Sequence, residues 1–379
     1  MKILQVIPYF AFEKGGDVNV CYNISKQLAK KGHKITILTT TLDYNPENTN
    51  TIPNLEMITI PYLFNLSLFI YSPKMKNWIK KHIKEYDIIH LHEFRSYQNN
   101  IITKQAQKEK IPYILQPHAS TPQHINKKYL KQIYDKIYGN KIIQNATKTI
   151  AVSKSEEYYD NQFGSKDTLL LYNGMNIKEY ENILHGFKKQ FNITKPYLLY
   201  LGRLDKLKGI DIIIKSYKQV QKQYPDYKLV IAGKINSYKE KLDKIIIDEK
   251  INKENIIFTD YLTETQKKQA YNEAELFLNP VKYMGGVSIT TLESILANTP
   301  VIATKESGEI LILSNSGIIV EYGNIKQLTE KIIWAIENPK KTQKQVQTGQ
   351  KYIRENLSWK TVTDKLETIY EDAIKGETR

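Results

Sequence analysis

The sequence predicts an α/β protein made of two doubly wound parallel sheets, and three observations carry that prediction. Short β-rich apolar runs alternate with longer stretches of helical period, the pattern of parallel strands joined by crossover helices. The pattern begins afresh near residue 196, so two similar halves follow one another. A chain of 379 residues is also long for one domain and comfortable for two. Strands are expected at 3–7, 34–39, 55–60, 88–91, 113–116, 149–152 and 169–172. In the second half they are expected at 197–201, 228–232, 255–258, 276–278, 300–303 and 317–320.

Helices fit between these strands. Val20, Ile24 and Leu28 recur every four residues, which places them on one face of a first helix that Gly32 ends. Cys21 lies inside that helix as a structural thiol. Residues 181–195 hold no clear strand and contain Gly186, so the interdomain linker is expected there. Trp359, Val362, Leu366 and Tyr370 recur at helical spacing and predict a last helix. The expected division is an N-terminal Rossmann-like domain at 1–180, the linker at 181–195, a second such domain at 196–357, and a helix at 358–379 that packs back on the first domain.

Composition narrows the function classes. Hydrophobic residues make up 41% and charged residues 25%, which excludes disorder, collagen and a disulfide scaffold. The longest nearly uncharged apolar run, 60–72, falls short of the ~18–20 residues that a membrane span requires. The N-terminus reads as a core strand with no signal peptide, and a single cysteine permits no internal disulfide, so the cytoplasm is the expected compartment. The balance of 55 basic and 40 acidic residues gives a charge of +15. Only Arg95, Arg203, Arg354 and Arg379 are arginines, and no nucleic-acid motif is present, so no nucleic-acid partner is expected. A lysine-coated solvated surface accounts for most of the charge, and an anionic membrane surface is the second candidate. Two segments suit it: Trp78, Ile79 and Ile83 among Lys74, Lys76, Lys80, Lys81 and Lys84, and Tyr129, Leu130, Ile133 and Ile137 among Lys127, Lys128, Lys131 and Lys136. Packing of both segments against the first sheet is the competing reading.

In open α/β sheets ligands bind where the carboxyl ends of strands meet helix N-termini. After the first strand, Gly15 and Gly16 open a helix, and a loop without side chains lets backbone N–H groups approach an anion. It is not a G-x-G-x-x-G fingerprint, which argues against a dinucleotide. At the exit of the second half's first strand, Arg203 is followed five residues later by Lys208. Two cations over one crevice suit a diphosphate. Further on, a strand leads through Gly285 and Gly286 into a helix, where the N–H groups of Gly285, Gly286, Val287, Ser288 and Ile289 offer a second phosphate cradle. Glu293, about two turns along, suits a ribose diol.

The chain resembles the retaining glycosyltransferases of family 4 along almost its whole length. The likeness rests on Gly15-Gly16, Asp87-Ile88-Ile89-His90-Leu91-His92, Gln116-Pro117-His118, Ala151-Val152-Ser153-Lys154-Ser155 and Tyr172-Asn173-Gly174-Met175-Asn176. It continues through Gly202-Arg203-Leu204 with Lys208-Gly209, Leu229-Val230-Ile231-Ala232-Gly233, Leu292-Glu293-Ser294, Pro300-Val301-Ile302-Ala303 and Leu357-Ser358-Trp359. The resemblance implies the GT-B fold, two Rossmann-like domains facing each other across a cleft. It implies transfer of a sugar from a nucleotide-diphosphate sugar to an acceptor hydroxyl of a glycan, lipid or small molecule, with retention of configuration. By the same resemblance Arg203 and Lys208 hold the diphosphate, Glu293 the ribose, Gly16 the phosphate side of the first domain, and His118 the transferred sugar. His90 and His92 fit the pattern at a strand end, with a structural role open to both.

No Asp-x-Asp occurs, so cations of the protein are expected to replace a metal, and no cofactor or metal is expected. The family usually has two glutamates with seven residues between them; here Glu293 is the second and Gly285 stands at the first. Asp260, Ser307 and Leu311 depart more mildly. The missing carboxylate keeps open a sugar-nucleotide-binding protein without turnover.

Overall fold

The computed structural model describes residues 1–12, 16–45, 52–66, 69–122, 128–282 and 287–377. They form two compact units, one of Met1–Gly174 with Trp359–Arg379 and the other of Met175–Ser358.

The first unit contains strands β1 (Lys2–Val6), β2 (Lys34–Thr40), β3 (Leu55–Ile60), β4 (Phe64–Leu66), β5 (Phe69–Tyr71), β6 (Ile88–His92), β7 (Tyr113–Gln116), β8 (Lys148–Ala151) and β9 (Thr168–Leu170). Seven of them form a parallel sheet in the order β3-β2-β1-β6-β7-β8-β9. The direction of winding reverses between β1 and β6, which makes the carboxyl ends of these two strands the switch point of this sheet. Every residue of β6 is buried, including His90 and His92, because helices cover both faces of the sheet. β4 and β5 form an antiparallel hairpin outside the sheet, an element that the sequence showed only as an apolar run.

The last helix, Trp359–Glu377, belongs to this first unit. Its Trp359, Val362, Leu366, Tyr370 and Ala373 pack with Ile3, Val20, Ile24 and Leu28. Gly174 lies beneath Trp359, and a Cβ there would sit 2.4 Å from the indole ring.

The second unit holds β10 (Tyr197–Leu201), β11 (Lys228–Ala232), β12 (Ile256–Asp260), β13 (Leu276–Asn279), β14 (Val301–Thr304) and β15 (Ile318–Val320). They form a parallel sheet in the order β12-β11-β10-β13-β14-β15, with its switch point between β10 and β13. The stretch 181–195, expected as a linker, is instead part of this unit. Phe187 is fully buried against Tyr197, and the Glu273 carboxylate accepts the N–H groups of Gly186, Phe187 and Lys188 at 2.5, 2.9 and 2.8 Å. A buried acid at a helix start ties the segment down. Among the described residues, no helix is long and apolar enough to cross a membrane.

Candidate functional site

In the second unit the loop after β10 is braced before any ligand arrives. The Tyr200 hydroxyl donates to the Arg203 carbonyl at 2.8 Å, and Asn236 Nδ2 donates to the Leu204 carbonyl at 2.9 Å. Asp205 Oδ1 accepts from Leu207 N at 2.8 Å, and the Leu207 carbonyl accepts from Lys282 N at 2.8 Å. Gly209 then turns the chain into the helix Ile210–Gln223 with φ of +69°, and a Cβ there would lie 2.2 Å from the Pro280 carbonyl oxygen. Arg203 is exposed and Lys208 half-buried, as the braced loop presents them. Burial pushes the Lys208 pKa down, the nearby Arg203 charge pushes it down further, and Asp205 draws it back up. The structure therefore places both expected cations on the loop that leaves β10 at the switch point.

The donor-binding positions expected after β13 divide. Gly285 and Gly286 lie outside the described residues. Val287 is half-buried, Ser288 is buried, and Ile289 is exposed at the start of the helix Ile289–Leu296. Ser288 is the N-cap residue, but its hydroxyl does not cap; it accepts from Asn279 Nδ2 at 2.8 Å. The same Asn279 group donates to Thr291 Oγ1 at 2.9 Å. The helix is thus anchored to β13 through side chains, and no cap side chain occupies its first N–H groups.

Glu293 is only 6% exposed. Its Oε1 accepts from Lys267 Nζ at 2.8 Å and its Oε2 from the Tyr271 hydroxyl at 3.3 Å. Burial and the Glu293 charge together push the Tyr180 phenol far up. Sequence reading placed Glu293 alone against a ribose; the structure shows it held in an ion pair, with further lone pairs on each oxygen.

In the first unit Gly16 opens the helix Gly16–Lys30, and among the described residues no heavy atom would lie within 4 Å of a Cβ there. Gly15 lies outside the described residues. Next to Gly16, Asp17 is buried and accepts from the Tyr9 hydroxyl at 3.4 Å. Glu93, which follows β6, is buried too and has φ of +68°. Desolvation raises the pKa of both carboxyls, and that of Glu93 rises further beside the Asp17 charge.

His118 follows β7 in a strained turn, with φ of +54° at His118 and +62° at Ala119. Two non-glycine residues in the left-handed region cost about 1–2 kcal/mol each and persist only where their surroundings hold them. Here Glu156 accepts from Ala119 N on one oxygen and from Val152 N at 2.7 Å on the other. Arg95 donates to the carbonyls of Ser120 and Thr121 while its other bonds go to Asp135 at 2.8 and 2.7 Å. The clamped turn sets the His118 ring parallel to His92, 5.1 Å between centroids at 11°, with His118 Nε2 and His92 Nδ1 2.8 Å apart. Desolvation brings the pKa of His118 and of His90 down to about 3 and lowers that of His92 as well, so all three rings are neutral. His90 and His92 are fully enclosed and meet no solvent. Among the described residues, no group of three or more His, Cys, Asp or Glu side chains is arranged to hold a metal.

Sequence reading missed Lys267, Tyr271, Glu156, Glu93 and Asp17 around these sites. Only Glu156 carried a local signal, standing three residues after Ser153, whose hydroxyl accepts its N–H at 3.1 Å.

Comparison with known proteins agrees with this layout. The family model described as Glycosyltransferase Family 4 matches residues 14–179, and that described as Glycosyl transferases group 1 matches 184–352. An uncharacterized glycosyltransferase of Methanocaldococcus jannaschii is 26% identical over 387 residues, covering 98% of each chain. A phosphatidyl-myo-inositol mannosyltransferase of Mycobacterium leprae is 20% identical, covering 98% of this chain and 96% of that one. Among solved structures, Anabaena HepE in complex with UDP superimposes with a TM-score of 0.79 at 16% identity, covering 98% of this chain and all of the other.

Proposed function

The chain belongs to the glycosyltransferases of group 1 and family 4 and has the GT-B fold, and from that premise we propose that it moves a sugar from a nucleotide-diphosphate sugar to an acceptor hydroxyl with retention of configuration. The observation that carries the donor assignment is the convergence of Arg203 and Lys208 at the β10 switch point. Two cations on one strand-exit loop suit an anion with several oxygens, and a diphosphate supplies it. The UDP bound to the HepE relative supports a nucleoside diphosphate.

In the proposed reaction the anomeric bond to the diphosphate breaks through an oxocarbenium-like centre. Arg203, Lys208 and the N-terminus of the helix Ile289–Leu296 stabilise the departing phosphate. The acceptor oxygen bonds to the anomeric carbon from the side that the phosphate leaves, and its proton passes to a phosphate oxygen. No carboxylate nucleophile and no metal is then required. Glu293, held by Lys267, receives the ribose hydroxyls, Gly16 keeps the phosphate side of the first unit open, and His118 hydrogen-bonds the transferred sugar.

The acceptor is proposed to be a glycan or lipid of cell-surface biosynthesis, met at the cytoplasmic face of a membrane. The phosphatidyl-inositol substrate in the name of the mycobacterial relative supports a lipid-borne acceptor. The two basic segments now separate. Met75, Ile79 and Ile83 point into the core, and Trp78 is half-buried against His82, so the first segment is packed. In the second, Tyr129 is 79% exposed and Leu130, Ile133 and Ile137 are more than half exposed beside Lys128 and Lys136, which supports lipid contact there.

Nucleotide release measured over a panel of donors, with and without EDTA, tests the reading. Release and transfer with one donor, unchanged by EDTA, is the expected result. Binding of a donor without turnover of any would instead make the protein a sugar-nucleotide carrier, and loss of turnover in EDTA restored by magnesium would overturn metal independence.

A further inference from the structure

A continuous chain of hydrogen bonds runs from His118 through the sheet of the first unit to its last helix. His118 Nε2 meets His92 Nδ1 at 2.8 Å, and His92 Nε2 meets Gln5 Oε1 at 2.8 Å. Gln5 Nε2 donates to the Tyr370 hydroxyl at 3.1 Å, and that hydroxyl lies 2.6 Å from His90 Nδ1. Gln5, His90, His92 and Tyr370 are all wholly buried, so no water competes for these bonds.

The direction of every bond follows from one amide. An amide oxygen only accepts and its NH2 only donates. Gln5 Oε1 therefore requires a proton on His92 Nε2, which leaves His92 Nδ1 bare. The bare Nδ1 in turn requires the proton on His118 Nε2, and the neutral His118 ring then carries a lone pair on Nδ1. At the other end, the Tyr370 hydroxyl accepts from Gln5 and so gives its own proton to His90 Nδ1. Rotating the Gln5 amide by half a turn would invert all of it and put the His118 proton on Nδ1. The site can thus hold two self-consistent proton arrangements, and the Gln5 amide selects between them.

We propose that Gln5 and Tyr370 are positioning residues that fix His118 as its Nε2–H tautomer, so that His118 presents Nδ1 as a hydrogen-bond acceptor. That this lone pair meets a sugar hydroxyl rests on the glycosyl-transfer reading; the tautomer does not. An acceptor at this position favours a hydroxyl that can donate and gives no bond to an oxygen without a proton. The last helix, more than 200 residues from His118 in sequence, thereby acts on the site through a single phenol.

Protein carrying 15N-labelled histidine, examined by long-range proton–nitrogen spectra at pH 7, tests this directly, the His118 signal being identified by its loss in His118→Gln. The expected result is the Nε2–H pattern for His118 in the wild type. In Tyr370→Phe and Gln5→Met, which remove hydrogen-bonding atoms and keep the shape, the expected result is a mixture or the Nδ1–H form. With a donor that turns over, both variants should lose about 5- to 10-fold in kcat with KM for the donor changed less than about 2-fold. A wild-type His118 in the Nδ1–H form, or an unchanged Nε2–H pattern in the variants, overturns the proposal. Two variants at different positions keep the test decisive if one does not fold. Absence of turnover with every donor defeats the transfer reading alone, because the spectra still decide the tautomer.

Discussion

Replacing Lys267 by methionine removes the only cation that bonds the buried Glu293 carboxylate among the described residues. Glu293 is 6% exposed, and its Oε2 accepts from the Tyr271 hydroxyl at 3.3 Å. Breaking a buried pair from one side costs about 3–5 kcal/mol, because a carboxylate stays behind without its cation. The Lys267 side chain keeps 16% exposure, which sets the expectation near the lower end, at about 3 kcal/mol. Its second partner, Glu264, is 68% exposed and contributes less than about 1 kcal/mol. Desolvation alone would lower the Lys267 pKa, but Glu293 and Glu264 outweigh it and leave it raised above 10.5. The stabilisation is therefore fully present below pH 10.5 and is lost as pH rises through the higher folded value. Calorimetry at pH 7 should show the transition of the second unit lowered by about 6–12 °C. The double variant Lys267→Met/Glu293→Gln should regain most of that loss, since no charge is then stranded. A loss below about 1 kcal/mol in Lys267→Met, or a double variant no more stable than the single one, would refute the reasoning.

Three further outcomes are expected. Lys31 bonds Asp364 and Glu367 and thereby lowers the pKa of both, so their stabilising effect is present above the ordinary carboxylate range and fades as pH falls through the lowered values; hydrogen exchange in the helix Trp359–Glu377 should speed up near pH 3 more than exchange in β6, and equal acceleration would contradict this. Gly233→Ala should cost about 3 kcal/mol or more in urea unfolding, because φ is +155° there and a Cβ would lie 1.9 Å from the Gly202 carbonyl oxygen. Flotation with anionic vesicles should capture the wild type and lose Leu130→Glu/Ile133→Glu, whereas Lys76→Glu/Lys80→Glu should float nearly as well; equal binding to neutral vesicles removes the lipid reading.

The sheets were legible in the sequence because parallel strands buried on both faces read as continuous apolar runs, as in Leu229-Val230-Ile231-Ala232 of β11. The strand exits were legible too, since glycine and a scarce arginine mark them. The hairpin of β4 and β5 was not, because three-residue strands leave too little alternation to register. The segment 181–195 read as a linker because what folds it, Glu273, lies some 85 residues further on. The networks around the sites escaped for the same reason. Gln5 looked like one polar residue in an apolar strand and Tyr370 like one more apolar helix position, and only tertiary structure brings them to one chain of hydrogen bonds with His118. Lys267 was one lysine among many until burial paired it with Glu293.

The most direct test of the donor assignment is the affinity of nucleoside diphosphates, measured by calorimetry for the wild type, Arg203→Ala, Lys208→Ala and the double variant. Each charge-assisted contact is worth about 1.5–3 kcal/mol, so each single variant should bind about 10- to 150-fold more weakly. The double variant should lose less than the product of the two, since both cations hold one ligand. Wild-type affinity in both single variants would show that the cations at the end of β10 do not hold the diphosphate.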